Sequence, residues 1–305
     1  MLSLEQYKNE FIKRYDLLSY LKYFTYKDFR GLNAYEVKIK VDDNVMFGSY
    51  YYYNELNMNR IVVFAHGIGP GHLAYMREIE KIAKEGYTVF AYDMIGTGAS
   101  TGESIDGLLG SISSLNSALE YLYSKNKDVE ISLIGHSLGA FASLNIAKYK
   151  PYIKNIVAIS GFVSLDMFAT MATNPNEIIS YECIKNNEFY QTKEEVIKHL
   201  EQYPGNLFLI HSKDDQIISP DLGLSFVKSL LKKEIKCLLV NEKNHNPNYS
   251  NRAIKYKDDT FAKFAAKQEG LTEKEKIDFF ADVDFMRMTE QDKEIWDLIF
   301  KFIEK

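Results

Sequence analysis

The spacing of apolar residues changes along the chain, and each change marks an element. Leu4, Tyr7, Phe11, Tyr15, Leu18 and Leu21 recur every three or four positions, which predicts an amphipathic helix within residues 3–24. Strict alternation follows at 35–41 and predicts a half-buried strand; Asp42-Asp43-Asn44 reads as a turn and 46–53 as the partner strand of a hairpin. From Ile61 the style is different. Ile61-Val62-Val63-Phe64-Ala65 is a continuous apolar run, as expected of a strand covered on both faces. Similar runs at 87–92, 129–134 and 156–159 alternate with helical patterns at 73–84, 107–125 and 138–148. Strand and helix in alternation predict right-handed crossovers and a mostly parallel sheet, hence the α/β class.

The alternation stalls over 162–204, which is helical in pattern but too long for a simple crossover. It resumes with a strand at 207–210, a helix at 221–232 and a strand at 235–240. A polar segment (250–288) precedes a last amphipathic helix carrying Ile295, Trp296, Ile299, Phe300 and Ile303. The expected organisation is an N-terminal helical segment (1–34), an α/β core (35–161 and 205–305, with the polar insertion at 250–288) and a helical stretch between the two parts of the core (162–204).

Composition narrows this picture. A chain of 305 residues buries enough surface to need no disulfide or metal staple. Hydrophobic content of 46% with 26% charged residues is the profile of a soluble globular protein. A net charge of −5 gives no electrostatic reason to expect nucleic acid or an anionic membrane as partner. Cys183 and Cys237 are too isolated for a metal site or a disulfide framework, and Cys237 reads as a small buried hydrophobe. The N-terminus lacks the pattern of a signal peptide and no stretch approaches a membrane span, so the cytoplasm is the default location. Oligomeric state stays open.

The chemistry concentrates in a few loops. Gly135-His136-Ser137-Leu138-Gly139 fits G-x-S-x-G directly after a strand and before a helical run. Such a turn would hold Ser137 in a strained conformation with its hydroxyl raised above the sheet. A serine hydroxyl needs a base within reach. Of six histidines, His66 and His136 lie inside glycine turns, His72 starts a helix, His199 belongs to the irregular middle segment and His211 ends a strand. His245 follows the last sheet strand in a polar loop, where open α/β sheets bind their ligands. The acid should follow the preceding strand, at Asp214-Asp215; adjacent carboxylates point apart, and Asp215 is preferred with Asp214 as the fallback. Backbone N–H groups of Ile68, in the loop His66-Gly67-Ile68-Gly69-Pro70-Gly71, and of Leu138 are the expected oxyanion hole. That loop lacks the spacing of a phosphate cradle. Asp93 reads as a structural capping residue.

These pieces, with Asp93-Met94-Ile95-Gly96-Thr97-Gly98-Ala99-Ser100 and Asp215-Gln216-Ile217-Ile218, resemble the α/β-hydrolase superfamily. Within it they are most similar to serine-aminopeptidase-like and monoacylglycerol-lipase-like hydrolases, in order across residues 35–250. The resemblance implies an eight-stranded, mostly parallel sheet, a site at its C-terminal edge and acyl-enzyme chemistry without a cofactor or metal. It also places a cap at 162–204. Asn244 departs from the pattern, standing where glycine often precedes the histidine.

Phe162, Met167, Phe168 and Met171 could line an acyl pocket or pack on the sheet, and His72 and Tyr75 lie beside the oxyanion loop. No acidic or basic cluster marks a charged-substrate site. The expected activity is that of a carboxylesterase or lipase-like serine hydrolase on a small-molecule acyl ester. A peptidase or amidase with the same triad and a catalytically silent ligand-binding protein are the alternatives.

Overall fold

Short β-rich runs that are apolar on both faces become the inner strands of one sheet, and the amphipathic runs cover it. The structure is a computed structural model describing residues 1–304. Helix α1 (Leu4–Phe11) starts from a capping box in which Ser3 and Gln6 each accept the other's backbone N–H. The hairpin follows as β1 (Asn33–Val41) and β2 (Asn44–Tyr52). Then come β3 (Arg60–Ala65), α2 (Met76–Lys84), β4 (Thr88–Tyr92), α3 (Gly107–Lys125), β5 (Glu130–His136), α4 (Leu138–Ile146) and β6 (Asn155–Ile159). Three helices, α5 (Leu165–Ala169), α6 (Pro175–Asn186) and α7 (Lys193–Gln202), occupy the stretch where alternation stalled. The chain ends with β7 (Asn206–Ser212), α8 (Leu224–Leu230), β8 (Lys236–Val240), α9 (Asn251–Ala265), α10 (Glu273–Phe280), α11 (Phe285–Met288) and α12 (Lys293–Ile303).

The eight strands form a single sheet in the order β1-β2-β4-β3-β5-β6-β7-β8. Only β2 runs against the others: it pairs antiparallel with β1 and β4, and every pairing from β4 to β8 is parallel. One face carries α3, α4 and the 162–204 helices over a core that includes Leu115, Leu133 and Phe141. The other face packs α2 and α12 around Trp296, Phe64 and Phe208. Parallel strands bring the loops after β3, β5, β7 and β8 to one edge, the usual ligand edge of such sheets. Among the described residues no helix is long and apolar enough to cross a membrane.

Two expectations need correction. The helix expected within 3–24 ends at Phe11, and the chain then continues as a strap. Tyr15 in this strap makes a one-residue parallel bridge to Thr97, and the Arg14 guanidinium donates to the carbonyls of Gly98, Ser100 and Gly102. These tertiary bonds outcompete a helical continuation. Cys237, expected buried, is half-buried because β8 is an edge strand.

Candidate active site

The turn between β5 and α4 holds Ser137 at φ 54°, ψ −117°, a conformation that costs a non-glycine residue strain. Its neighbours explain the glycines. A Cβ at Gly135 would fall 2.3 Å from the Gly139 carbonyl oxygen, and one at Gly139 would fall 2.0 Å from that of Ala65. Ser137 is buried yet keeps some access to solvent. The backbone N–H groups of Leu138, at the start of α4, and of Ile68 have no acceptor among the described residues. The loop carrying Ile68 lies against the serine, since a Cβ on Gly67 would approach Ser137 Cβ to 3.2 Å.

His245 lies in the loop after β8. Its Nδ1 is 2.8 Å and 3.1 Å from the two Asp215 carboxylate oxygens. Asp215 also accepts from the Ile217 and Ile218 amides (2.9 and 3.0 Å) and lies 3.2 Å from His211 Nε2. Burial pushes its pKa up, but His211, His245 and the Ile218 amide outweigh it and hold the carboxyl well below the ordinary range. Asp214 faces elsewhere. It accepts from the Ser212 hydroxyl and from the Lys243 and Asn244 amides (3.3 and 3.2 Å), bracing the histidine loop. Asn244 sits at φ 46°, in the left-handed region that asparagine tolerates better than other side chains, so it can stand where glycine is usual.

Ser137 Oγ and His245 Nε2 are not hydrogen-bonded, but the two residues are tied together through His136. The His136 and His245 rings lie 4.9 Å apart in an edge arrangement. His136 Nε2 donates to the His245 carbonyl at 2.8 Å, which leaves Nδ1 to accept from the Tyr75 hydroxyl at 3.0 Å; that hydroxyl accepts the Gly67 amide at 3.1 Å. Burial drives the His136 pKa down to about 3, so the ring stays neutral and this tautomer is the one the carbonyl demands. The elbow, the Ile68 loop and the histidine loop are thereby one hydrogen-bonded unit. Reasoning from sequence missed His136 and His211 because it treated them as turn and strand-end residues. The signal available was proximity, His136 inside the elbow and His211 four residues before Asp215.

The remaining residues divide. Tyr75 lines a cavity of about 630 Å³ that reaches Ile68 and Asn246. His72 is buried, held between Tyr51 (2.7 Å) and Asp93 (2.6 Å), and borders a separate cavity of about 550 Å³. Asp93 also accepts the His72 and Ala99 amides, which fits a structural brace. Phe162, Met167 and Phe168 are core residues. Phe162 stacks on Phe141 at 4.5 Å, and Phe168 meets Phe11 edge-on at 5.4 Å. Met171 packs on the same core, and none of these four lines the cavity at Ile68. These four apolar side chains of the helical middle segment are spent on packing.

Strand order, elbow and loop positions together are those of one known fold. The Pyrococcus furiosus esterase Pf2001 superposes with a TM-score of 0.57 at 20% identity, over 84% of this chain and 97% of that one. The chain has the α/β-hydrolase fold. Est1E of Butyrivibrio proteoclasticus, in a structure with ferulic acid bound, superposes with a TM-score of 0.56 at 15% identity, covering 77% of this chain and all of its own chain (100%). The family model described as "Serine aminopeptidase, S33" matches residues 57–186. Protein phosphatase methylesterase 1 of Candida albicans is 24% identical over 198 residues, which are 65% of this chain and 52% of that protein. The chain thus spans about half the length of this curated relative.

Proposed function

We propose that the protein is a serine hydrolase that cleaves carboxylic esters through an acyl-enzyme, with Ser137 as nucleophile, His245 as base and Asp215 as orienting acid. The observation that carries this reading is the strained Ser137 elbow set against a loop whose imidazole is already bonded through Nδ1 to a buried carboxylate. With Nδ1–H committed to Asp215, Nε2 is left as the proton acceptor. His245 Nε2 takes the hydroxyl proton as Oγ attacks the ester carbonyl, and the same proton passes to the departing alkoxide. Water then repeats the sequence to release the acid. The unpaired amides of Ile68 and Leu138 would receive the oxyanion. In unliganded enzymes the nucleophile–base bond is often long and tightens when substrate binds, which accommodates the missing Ser137–His245 bond.

The esterase neighbours and the methylesterase relative support esters as the substrate class. The match to serine aminopeptidases favours a second reading, amide hydrolysis with the same three residues. A fluorophosphonate probe tests the nucleophile: it should label the wild-type chain at Ser137 and leave Ser137→Ala unlabelled. Labelling that survives the substitution, or none in the wild type, would refute the assignment. Chromogenic esters assayed beside aminoacyl amides then separate the two substrate classes.

A further inference from the structure

We infer that the cavity beside Ile68 takes an ester whose far end carries a carboxylate, paired there with the ammonium of Lys257. This deepens the esterase reading and rests on it for the word ester. The cavity, about 630 Å³, is of a size to hold a small molecule. It is bounded by the loop of Ile68, by Asn246 next to the candidate base, and by Lys257 and Tyr249 from the far side. Leu18 and Leu21 of the N-terminal strap supply apolar wall.

Lys257 stands on α9, half-buried, with its amine bonded to the Asn246 side-chain oxygen and 5.7 Å from the centre of the Tyr249 ring. No carboxylate lies within 4 Å of that nitrogen among the described residues. The other cations at the cavity are spoken for. Lys13 pairs with Glu10, and Arg14 is held by Asp16 and three backbone carbonyls. Burial lowers the Lys257 pKa, and Asp258 and Glu78 only partly offset this from a distance. The charge is close enough to depress the pKa of His136, the residue before the candidate nucleophile. A desolvated ammonium with a neutral amide as its partner is an unfinished ion pair. An incoming anion would complete it.

A carboxylate fits better than a phosphate. Lysine offers one point charge without the donor fork that arginine presents, and the other charged groups at the cavity, Lys13, Arg14 and Asp16, are already paired. A monoanion can be neutralised here, whereas a dianion would keep half its charge.

Two measurements on the full-length chain test this. The first compares kcat/KM for the 4-nitrophenyl monoester of glutaric acid with that for 4-nitrophenyl butyrate. The wild type should prefer the charged ester. Lys257→Met should collapse that preference by about 10–100-fold, chiefly through KM, and Lys257→Arg should recover most of it. A wild type indifferent to the charge, or a preference that survives Lys257→Met, would overturn the proposal. The second measurement needs no turnover: monomethyl glutarate is titrated calorimetrically into Ser137→Ala protein with and without Lys257→Met. Binding that depends on Lys257 supports the site even where fluorophosphonate labelling has refuted Ser137, so the two readings can fail separately. Monomethyl phosphate binding as tightly as monomethyl glutarate would overturn the assignment to carboxylates.

Discussion

Adjacent carboxylates on the loop after β7 have different work because successive side chains leave the backbone in different directions. Asp215 turns inward between two imidazoles, His245 and His211, while Asp214 turns toward the amides of Lys243 and Asn244. On the proposed mechanism Asp215→Asn would present an amide to His245 and favour the wrong tautomer. Turnover should fall by about 10⁴-fold, the loss known for this change in serine proteases. Asp214→Asn keeps acceptor capacity toward the loop amides and should cost far less, so the ratio of the two defects in kcat is the check. The same carboxylate sets an acid limit on stability. Its folded pKa is depressed, so its contribution is present in full above about pH 4, the unfolded value, and is lost as pH falls below that toward the folded value. Urea unfolding at stepped pH should therefore show the gap between wild type and Asp215→Asn widest near neutrality and closing below pH 4. A gap independent of pH would show that the folded carboxyl is not depressed.

At the scale of elements, the pieces with a clear period or a clear sequence context were legible. The helix expected at 107–125 is α3 to the residue, and the continuous apolar runs became the inner strands. A local pattern decides these because each apolar stripe buries against a neighbour close in sequence. The same logic failed at 3–24, where Tyr15 keeps helical spacing but finds its partner at Thr97, in the loop after β4. At Phe162, Met167 and Phe168 it left two outcomes open, since apolar residues of a helical stretch can serve a pocket or a core and spacing does not distinguish them. Ser137, Asp215 and His245 could be singled out because each follows a strand at one sheet edge. The braces His136–Tyr75 and His211, and Lys257, depend on chain segments meeting in space. One such meeting fixes α1: Tyr7 donates its hydroxyl to buried Glu182 on α6, which also accepts the Leu108 and Leu109 amides at the start of α3. Tyr7→Phe removes one charge-assisted bond and should cost about 2 kcal/mol. Glu182→Ala should cost more, since it also orphans two buried amides. Chemical denaturation gives both numbers, and hydrogen exchange should rise over 4–11 in each variant.

Considered as a whole, the molecule walls the cavity beside Ile68 with parts distant in sequence, the strap that follows α1 and the insertion carrying α9 to α11. The insertion is polar by composition, yet it holds a cluster of Phe261, Phe264, Phe279 and Phe280. Tyr20 of the strap enters that cluster, 5.7 Å from both Phe264 and Phe280, and Ser19 bonds Glu273 beside it. These contacts join the two walls of the 630 Å³ cavity. The sheet below has its own core on either face and does not depend on them. Tyr20→Ala removes the half-buried aromatic body at the junction and exposes the faces of Phe264 and Phe280, at a cost of about 1–2 kcal/mol. Because that cost falls on a peripheral unit, it should appear as local opening and not as global unfolding. Hydrogen exchange should then quicken together over 13–25 and 256–285, while β3 to β7 keep wild-type protection. Quickening confined to the strap would show that the insertion is held by other contacts, and a uniform loss of protection would show that roof and sheet fold as one unit.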